Sequence, residues 1–298
     1  WRAVAIILLR AMTARCWSRN TEWRDNGTLY AAAYRDHPDA VGCQHLYGQW
    51  LVNNGEYTDG VTLLKRAIDF DMGYTDAHRT LGQAYLRAGK WREAVRHLQI
   101  ADMQVPGHPP TAAALERASR ELSLHEGEQL SRLAQTAEDR PDDVEAEVAV
   151  IRMMRELGRV RDALDRLRSE ESRFSASALW QSEYAVTLVY LNDRDGAIVR
   201  YLRAIELAPD DPQRMVEAAM LLLERRQEDD LEHAWELATR ASRLAPGAPS
   251  VLICRAELLA LRGDLQGAVS AYQDAIRALP RDSEQRRALE ERAKALGR

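Results

Sequence analysis

The sequence contains few of the residues from which β-sheets are built. Its 298 residues include only 2 phenylalanines, and no segment alternates β-branched with polar residues. Because strands are usually marked by such alternation, a sheet is not expected. Alanine, leucine, arginine and glutamate are abundant instead, and all four favour helices. With 46% hydrophobic and 29% charged residues, the composition is that of a globular protein and predicts an all-α fold.

Signals for metal and nucleic-acid binding are also missing. The three cysteines, Cys16, Cys43 and Cys254, are scattered and form no CxxC pair. They therefore predict core thiols and not a zinc site. The formal net charge is −5, whereas nucleic-acid-binding domains usually carry a basic face. We expect no metal, no cofactor and no nucleic-acid partner.

The motifs of common catalytic sites are not found. No histidine belongs to an HExxH motif, and no GxSxG elbow or glycine-rich phosphate loop is present. Paired aspartates at 142–143, 210–211 and 229–230 stand where helices begin or turn, and carboxylates stabilise helix N-termini there. We therefore expect no catalytic residue and no enzymatic activity in this chain.

No long hydrophobic run is present. The apolar stretch AVAIILL at 3–9 has seven residues, whereas a membrane helix needs about 20. Two interpretations remain open. The stretch is either the end of a membrane helix, with attachment through residues 1–10, or the buried first helix of the fold.

Proline spacing reveals an internal repeat. Apolar helical stretches end at five prolines with successive gaps of 35, 68, 37 and 34 residues: Pro106, Pro141, Pro209, Pro246 and Pro280. Pro38 precedes Pro106 by another 68 residues. A unit of 34 residues follows, since 68 is two units in which the middle proline is replaced, by Met72 or Ser175.

Small and aromatic residues recur within this period. In residues 81–102, LGQAYLRAGKWREAVRHLQIAD, Gly82 and Tyr85 are followed by Gly89, Trp91 and Ala94. This order at a period of 34 is identified as the tetratricopeptide repeat, in which each unit is a pair of antiparallel helices. Gly82 is expected where paired helices touch, and Gly89 in the turn at positive φ. The resemblance implies a right-handed superhelical solenoid of helix–turn–helix repeats.

The repeat frame divides the chain into three regions. Residues 1–40 hold the possible membrane-helix end and a degenerate first repeat, residues 41–282 hold about seven repeats, and residues 283–298 form a polar capping helix. The stretch RRQEDD at 225–230 predicts a longer inter-helix turn with three extra residues. The unit 110–143 is degenerate, because Leu124 stands where the turn glycine belongs. The predicted units are 41–74, 75–108, 110–143, 144–177, 178–211, 212–248 and 249–282.

Stacked helix pairs form a concave surface that binds extended peptides or protein elements. We expect the first helix of each pair to line it. Along this groove the predicted charge changes from arginine in the middle to glutamate near the end. In one interpretation an acidic portion of a ligand lies against Arg79, Arg152 and Arg155. In the alternative these charges only keep the groove soluble. The candidate ligand-binding residues are Gln49, Arg79, Gln83, Arg152, Arg155, Ser182, Glu217 and Glu257.

The segment MTARCWSRNTEWRDNGTLYAAAYRDHPDA at 12–40 carries a second resemblance. It resembles the junction between membrane helix and repeats in membrane glycosyltransferases of the transmembrane-and-tetratricopeptide O-mannosyltransferase kind. The matching residues are Arg19, Asn20, Trp23, Thr28 and Leu29, followed by Pro38. In that family a multi-spanning part performs the sugar transfer. The resemblance therefore implies an arm that holds a protein beside a membrane enzyme, and no catalytic residue.

The sequence thus predicts a protein–protein interaction scaffold that binds a peptide or partner protein in its groove. The finer hypothesis is the soluble arm of a membrane-anchored protein such as a glycosyltransferase. The alternative is a structural or assembly subunit of a larger membrane-associated complex. The resemblance implies the periplasmic or lumenal side, whereas Arg10, Arg15 and Arg19 after the apolar run favour the cytoplasmic side. The sidedness is therefore left open.

Overall fold

The computed structural model describes residues 24–280 and 282–296, together with Arg10, Met12 and Thr13. Over these residues the chain forms sixteen helices and no strand, which confirms the predicted all-α repeat fold. The helices are α1 Asn26–Asp36, α2 Val41–Asn53, α3 Tyr57–Phe70, α4 Thr75–Arg87, α5 Trp91–Gln104, α6 Pro109–Asp139, α7 Val144–Glu156, α8 Val160–Ser169, α9 Glu171–Phe174, α10 Ala178–Tyr190, α11 Arg194–Leu207, α12 Pro212–Arg225, α13 Asp230–Leu244, α14 Pro249–Leu261, α15 Leu265–Ala278 and α16 Glu284–Leu296.

Most helices form pairs of one construction. The first helix of a pair, here called the A helix, typically has 13 residues and the second, the B helix, 14. The pairs are α2–α3, α4–α5, α7–α8, α10–α11, α12–α13 and α14–α15. Aspartate side chains cap several helices. For example, Asp143 accepts from the backbone N–H of Ala146 at the start of α7, and Asp264 accepts from Gly267 at the start of α15. These bonds satisfy backbone donors that a helix leaves free at its N-terminus.

Each turn between paired helices contains one residue in the left-handed region. Gly89 has φ +70°, as the sequence predicts. Glycine adopts this region without steric cost, and asparagine tolerates it better than most residues. The residues at this place, in chain order, are Gly55, Gly89, Gly158, Asn192, Arg226 and Gly263.

Residues 1–127 form one compact unit. Within its described part, Leu64, Leu81 and Leu98 are fully buried and belong to a single core. Gly82 lies against Leu98: a Cβ atom placed on Gly82 would stand 2.6 Å from Leu98 Cγ. The predicted role of Gly82 as a close helix contact is therefore confirmed.

Residues 128–298 form a second compact unit. Its largest core runs from α7 to α14 and includes the fully buried side chains of Trp180 and Met215. A smaller cluster joins α14, α15 and α16 through Tyr272, Leu289 and Ala293. Helix α16 thus covers the apolar face of the last helix pair, within the segment predicted to end the array.

The predicted repeat 110–143 is not a helix pair. Helix α6 runs without a break for 31 residues over Pro109–Asp139. Leu124 is 59% exposed within this helix, and Gly127 has ordinary helical φ. The physical reason is local, since this stretch lacks a turn signal strong enough to stop a run of Ala, Leu, Glu and Arg.

The pair α12–α13 contains the three extra residues that RRQEDD predicts, but they are not all in the turn. Three residues (227–229) separate Arg226 from the B helix, whereas the other turns have one residue there. The third extra residue lengthens α13 to 15 residues. Asp230 holds this turn, because it accepts from Arg225 Nε at 3.0 Å and from the Gln227 N–H at 2.7 Å.

The predicted membrane-helix end at 3–9 and the junction residues Arg19, Asn20 and Trp23 lie outside the described residues. Thr28 lies at the start of α1, where its N–H donates to Asp25 Oδ1 over 2.8 Å in a capping box. Among the residues that the structure describes, no helix has both the length and the apolar composition that crossing a bilayer requires.

Candidate functional site

A groove in the second unit is the strongest candidate for a ligand site. It has a volume of about 580 Å³ and lies beside the C-terminal halves of α12 and α14; we call it the α12–α14 groove. Three apolar side chains contribute to its wall, Met220, Leu223 and Leu261, and Leu261 is 51% exposed. Five ionisable side chains complete it: Arg194, Glu224, Arg226, Glu257 and Arg292.

Both glutamates of the groove have partners. Arg194 Nε lies 3.2 Å from Glu224 Oε2, and Arg292 lies 2.7 Å from Glu257 Oε2. The hydroxyl of Tyr272 donates to the other Glu257 oxygen over 2.7 Å. Burial and this carboxylate raise the pKa of Tyr272 above its usual value. Glu257, a predicted ligand contact, is therefore fixed within the wall of the groove.

Arg226 is the remaining cation of the groove. Its backbone N–H donates to the Leu222 carbonyl, but its guanidinium group is exposed and forms no ion pair or hydrogen bond with any residue that the structure describes. The groove therefore combines exposed apolar surface with a free guanidinium group. Concave surfaces that combine apolar side chains with a few polar groups are typical of ligand sites.

Two predicted ligand contacts, Arg152 and Arg155, bind Glu183 from the next A helix. Arg152 Nε donates to Glu183 Oε1 over 2.8 Å, and Arg155 donates to the other carboxylate oxygen. Arg155 also donates to Thr187 Oγ1 over 2.9 Å. Glu183 is only 6% exposed, so both guanidinium groups compensate a buried carboxylate. Their charges serve the fold, and their contact with a ligand stays a prediction.

The other predicted residues are dispersed. In the first unit, Arg79 donates to Asp76 over 2.6 Å, and Gln49 and Gln83 are half-buried. In the second unit, Glu217 accepts from Gln213 over 3.0 Å and Ser182 donates to the carbonyl of Ala178. Of the predicted set, the α12–α14 groove includes Glu257 alone.

The groove cations Arg194, Arg226 and Arg292 were not predicted. A signal for Arg226 existed in the sequence. Gly55, Gly89, Gly158 and Gly263 mark the turn position, and arginine replaces glycine there. No comparable signal identified Arg194 or Arg292, since their proximity depends on how successive helix pairs stack.

A buried polar side chain recurs at the fourth residue of four A helices. Gln44 and Gln181 each donate to the backbone carbonyl six residues earlier, over 2.7 Å and 2.9 Å. His78 Nε2 lies 3.2 Å from the carbonyl of Met72 in the same way. In α7 the residue is Glu147, whose carboxylate only accepts hydrogen bonds. The equivalent carbonyl, that of Pro141, accepts from Arg173 instead. In α2, α4 and α10 the bond fixes the start of the A helix to the preceding connection, whereas before α7 Arg173 joins the connection to α9.

The same position has a partner 19 residues later, on the B helix. Gln181 accepts from Arg200 over 3.0 Å, and Glu147 accepts from Arg166 over 2.8 Å and 3.0 Å. His78 Nδ1 lies 3.0 Å from His97 Nδ1. For Gln44 the corresponding residue is Leu63, which explains why Gln44 Oε1 has no hydrogen-bond partner among the described residues.

The tautomers of the histidine pair follow from its neighbours. The Met72 carbonyl only accepts, so His78 carries its proton on Nε2 and its Nδ1 accepts from His97 Nδ1–H. Burial lowers the pKa of His78. Burial and the neighbouring His78 lower the pKa of His97 to about 4. The pair is therefore neutral near pH 7.

The described residues contain no group of three or more His, Cys, Asp or Glu side chains placed to hold a metal ion. Cys254 is fully buried, and burial raises the pKa of its thiol to about 12. This thiol is a core side chain and not a nucleophile.

Residues 51–118 match the family model of the tetratricopeptide repeat. This range extends from the end of α2 into α6, and the match agrees with the repeat predicted from the glycines and aromatics. Residues 51–118 are thus similar to the tetratricopeptide repeat. A search of curated proteins finds no match to it.

Several solved structures are similar to this chain. Yeast Tom70 aligns with a TM-score of 0.48 and 14% identity, over 91% of this chain and 58% of the Tom70 chain. The APC/C hetero-tetramer Cut9–Hcn1 aligns with a TM-score of 0.43 and 12% identity, over 89% of this chain and 45% of that one. YrrB, described as a TPR protein with an unusual peptide-binding site, aligns with a TM-score of 0.34 and 13% identity, over 89% and 97%. This chain spans about half the length of the first two.

Proposed function

We propose that this chain is a protein–protein interaction scaffold whose α12–α14 groove binds an extended peptide or a segment of a partner protein. The observation that carries the proposal is the groove of about 580 Å³, with exposed Leu261 and unpaired Arg226 in its wall. Ligand sites are concave and mostly apolar, with a few polar groups that fix orientation. The groove has this composition.

The shape of the groove favours a peptide over a compact small molecule. Its wall is built from helices α11, α12, α14 and α16 and the turn after α12, so it runs across neighbouring helix pairs in the direction in which they stack. Repeat proteins bind extended chains along such surfaces. The proposal assigns a binding role to the groove and no catalytic role to any of its residues.

A binding screen tests the proposal. The full chain is immobilised and exposed to a library of random nine-residue peptides, and the affinities of selected peptides are measured by fluorescence anisotropy. Leu261→Asn should weaken binding about tenfold, because a groove-lining apolar contact is lost. Leu202→Asn is the matched control, since Leu202 is 39% exposed on α11 and does not line the groove.

Two results would contradict the proposal. Failure of any peptide to bind the chain would remove the scaffold function itself. Equal weakening by Leu261→Asn and Leu202→Asn would show that binding occurs elsewhere or follows general destabilisation.

We also propose that the chain is the soluble arm of a membrane-anchored protein such as a glycosyltransferase, with a structural subunit of a membrane-associated complex as the alternative. The support is the resemblance at 12–40, of which Thr28, Leu29 and Pro38 belong to the described residues. In the first case the groove holds acceptor protein beside the membrane enzyme, on the periplasmic or lumenal side.

The complete gene and a labelling experiment test this arrangement. Several apolar stretches of about 20 residues upstream of Trp1 would support the enzyme arm, and their absence would contradict it. Sidedness is tested with a membrane-impermeant maleimide on intact cells that carry the Cys16→Ser variant. Cys43 is the reporter, because Cys254 is fully buried. Labelling places the repeats outside the cytoplasm, and protection until lysis places them inside.

A further inference from the structure

Arg226 has a backbone conformation that is unusual for its residue type. Its φ of 58° and ψ of 41° lie in the left-handed region. In the six inter-helix turns this place is occupied by glycine four times and by asparagine once. A side chain with a Cβ is sterically disfavoured there, and such outliers point to function when the side chain has an accessible role. The C-terminus of α12 attracts a cation and offsets part of this cost.

Among the residues that the structure describes, the charge of Arg226 has no counter-ion. The preceding residue, Arg225, is held by Asp230 and Asp195 at 2.6 Å and 3.0 Å. Arg226 forms no ion pair with either aspartate and lines the α12–α14 groove. There, three arginines face two glutamates, and each glutamate already pairs with another arginine. The groove therefore has one uncompensated positive charge, and it belongs to Arg226.

Apolar surface is available beside this charge. Met220 and Leu223 stand on the last two turns of α12, close in sequence to Arg226, and Leu261 faces the same groove from α14. A guanidinium group binds a carboxylate through two parallel hydrogen bonds. Next to it, the apolar side chains of Met220, Leu223 and Leu261 can contact an aliphatic side chain of the ligand.

We infer that the α12–α14 groove recognises a peptide segment in which an aspartate or glutamate lies next to a large aliphatic residue. Its carboxylate binds Arg226, and its aliphatic side chain packs against Met220, Leu223 and Leu261. This inference rests on the proposed peptide-binding function and specifies the ligand class.

Three peptide libraries test the inference against the full chain. Each has nine random positions around a fixed central pair: Glu-Leu in the first, Gln-Leu in the second and Lys-Leu in the third. We expect the Glu-Leu library to be enriched at least tenfold over the other two. Binding of a selected Glu-Leu peptide should weaken about tenfold in Arg226→Asn, or about 1.4 kcal/mol, and less in Arg226→Lys, which keeps a point charge.

The Arg226→Asn variant separates binding from folding. Asn192 occupies the equivalent turn position at φ 61°, so asparagine fits this backbone and the Tm should stay the same or rise. Arg240→Ala is the charge control, because Arg240 is exposed on α13 and does not line the groove.

The outcomes distinguish this inference from the proposed function. If peptides bind in the groove but Arg226→Asn and Arg240→Ala weaken binding equally, or the Lys-Leu library is preferred, the scaffold stands and the inference is wrong. If no library binds at all, the scaffold function is wrong and the inference fails with it. Selective loss in Arg226→Asn at unchanged Tm supports both.

Discussion

The eighth residue of the A helix is small in most pairs because the two helices of a pair touch there. Gly48, Gly82, Ala185, Ala219 and Ala256 occupy it in five of the pairs. At Gly82 even a methyl group would overlap Leu98. In α7 this position holds Ile151, which is fully buried. The B helix that pairs with α7 is interrupted between Ser169 and Glu171, where α8 ends and α9 begins. The side chain at this position therefore sets how closely paired helices approach.

Gly82→Ala should destabilise the protein by about 1–3 kcal/mol, because the added methyl group forces Leu98 and the helix contact to move. Gly42→Ala is the matched control. Gly42 also lies in an A helix, but a Cβ there meets no atom within 4 Å. The control should stabilise by up to about 1 kcal/mol through helix propensity. Urea denaturation of both variants measures the difference, and equal effects would show that Gly82 is not a contact position.

The His78–His97 pair makes stability depend on pH. Folding lowers the pKa of His97 from 6.5 in the unfolded chain to about 4. Between these values the unfolded chain binds more protons, so the free energy of unfolding decreases as pH falls through this window and is fully retained above pH 6.5. His78 adds an effect of the same sign. Lys65 and Arg96 disfavour the protonated ring and Glu93 favours it.

A double variant isolates this effect. His78→Gln with His97→Arg reproduces the Gln181–Arg200 pair and removes both imidazole groups. Between pH 7 and pH 5 the free energy of unfolding of the wild type should fall by about 1–2 kcal/mol more than that of the variant. Solvent screens the partly exposed His97 ring and keeps the effect small. Urea denaturation at both pH values measures the difference. Equal losses would exclude the pair as the cause.

At the scale of elements, α6 shows how local signals are weighed against helix propensity. The 34-residue period predicts a turn near Leu124, yet no glycine stands there and the helix continues to Asp139. Gly127 lies three residues further on but keeps helical φ, because a single glycine costs a helix only about 1 kcal/mol relative to alanine. The half of α6 before Gly127 buries Ala118 in the first unit, and the half after it packs Leu130 and Ala137 on α7.

Gly127→Ala tests the continuity of this helix. A methyl group at Gly127 meets no atom within 4 Å, so alanine should stabilise the protein by about 0.5–1 kcal/mol. At a glycine in a true turn, substitution by alanine should lower the stability instead of raising it. Gly89→Ala, at φ +70°, should be destabilising. If Gly127→Ala also destabilises the protein in guanidinium titrations, a turn exists within 110–143 and the continuous helix is wrong.

At the scale of the whole molecule, the described residues form two compact units with separate cores. The core of the first unit includes Leu81, and the largest core of the second includes Met215. In repeat proteins each helix pair contacts mainly its neighbours, so the stability of a region depends on nearby pairs.

Hydrogen exchange tests this separation with two core truncations. Leu81 and Met215 are both fully buried, and truncation to alanine should cost about 2–5 kcal/mol in each case. Leu81→Ala should accelerate amide exchange in residues 41–104 and leave residues 178–258 unchanged, and Met215→Ala should do the opposite. Acceleration of both regions by either variant would show that the two units unfold as one.

Much of the fold was predictable because its signals are local. Gly89 marks a left-handed turn and Gly82 a close contact, and each requirement acts within one 34-residue unit. The presence of helix α16 followed from the polar composition of the last residues, which is typical of the helix that ends a repeat array. The candidate site was less accessible. Arg152 and Arg155 read as free charges in the sequence, because their partner Glu183 lies about 30 residues away on another helix pair.

The sequence by itself determined the helices, the period of the repeat and the residues that touch within each pair. All three depend on interactions between residues close in the chain, and each recurrence of the pattern repeats the same physical requirement. The tertiary structure alone decided which charges are neutralised and which remain free. Arg155 is buried against Glu183, while Arg226, which lines the same groove as Leu261, has no ion pair among the described residues. That distinction depends on the stacking of successive helix pairs, which brings together side chains that no local pattern connects.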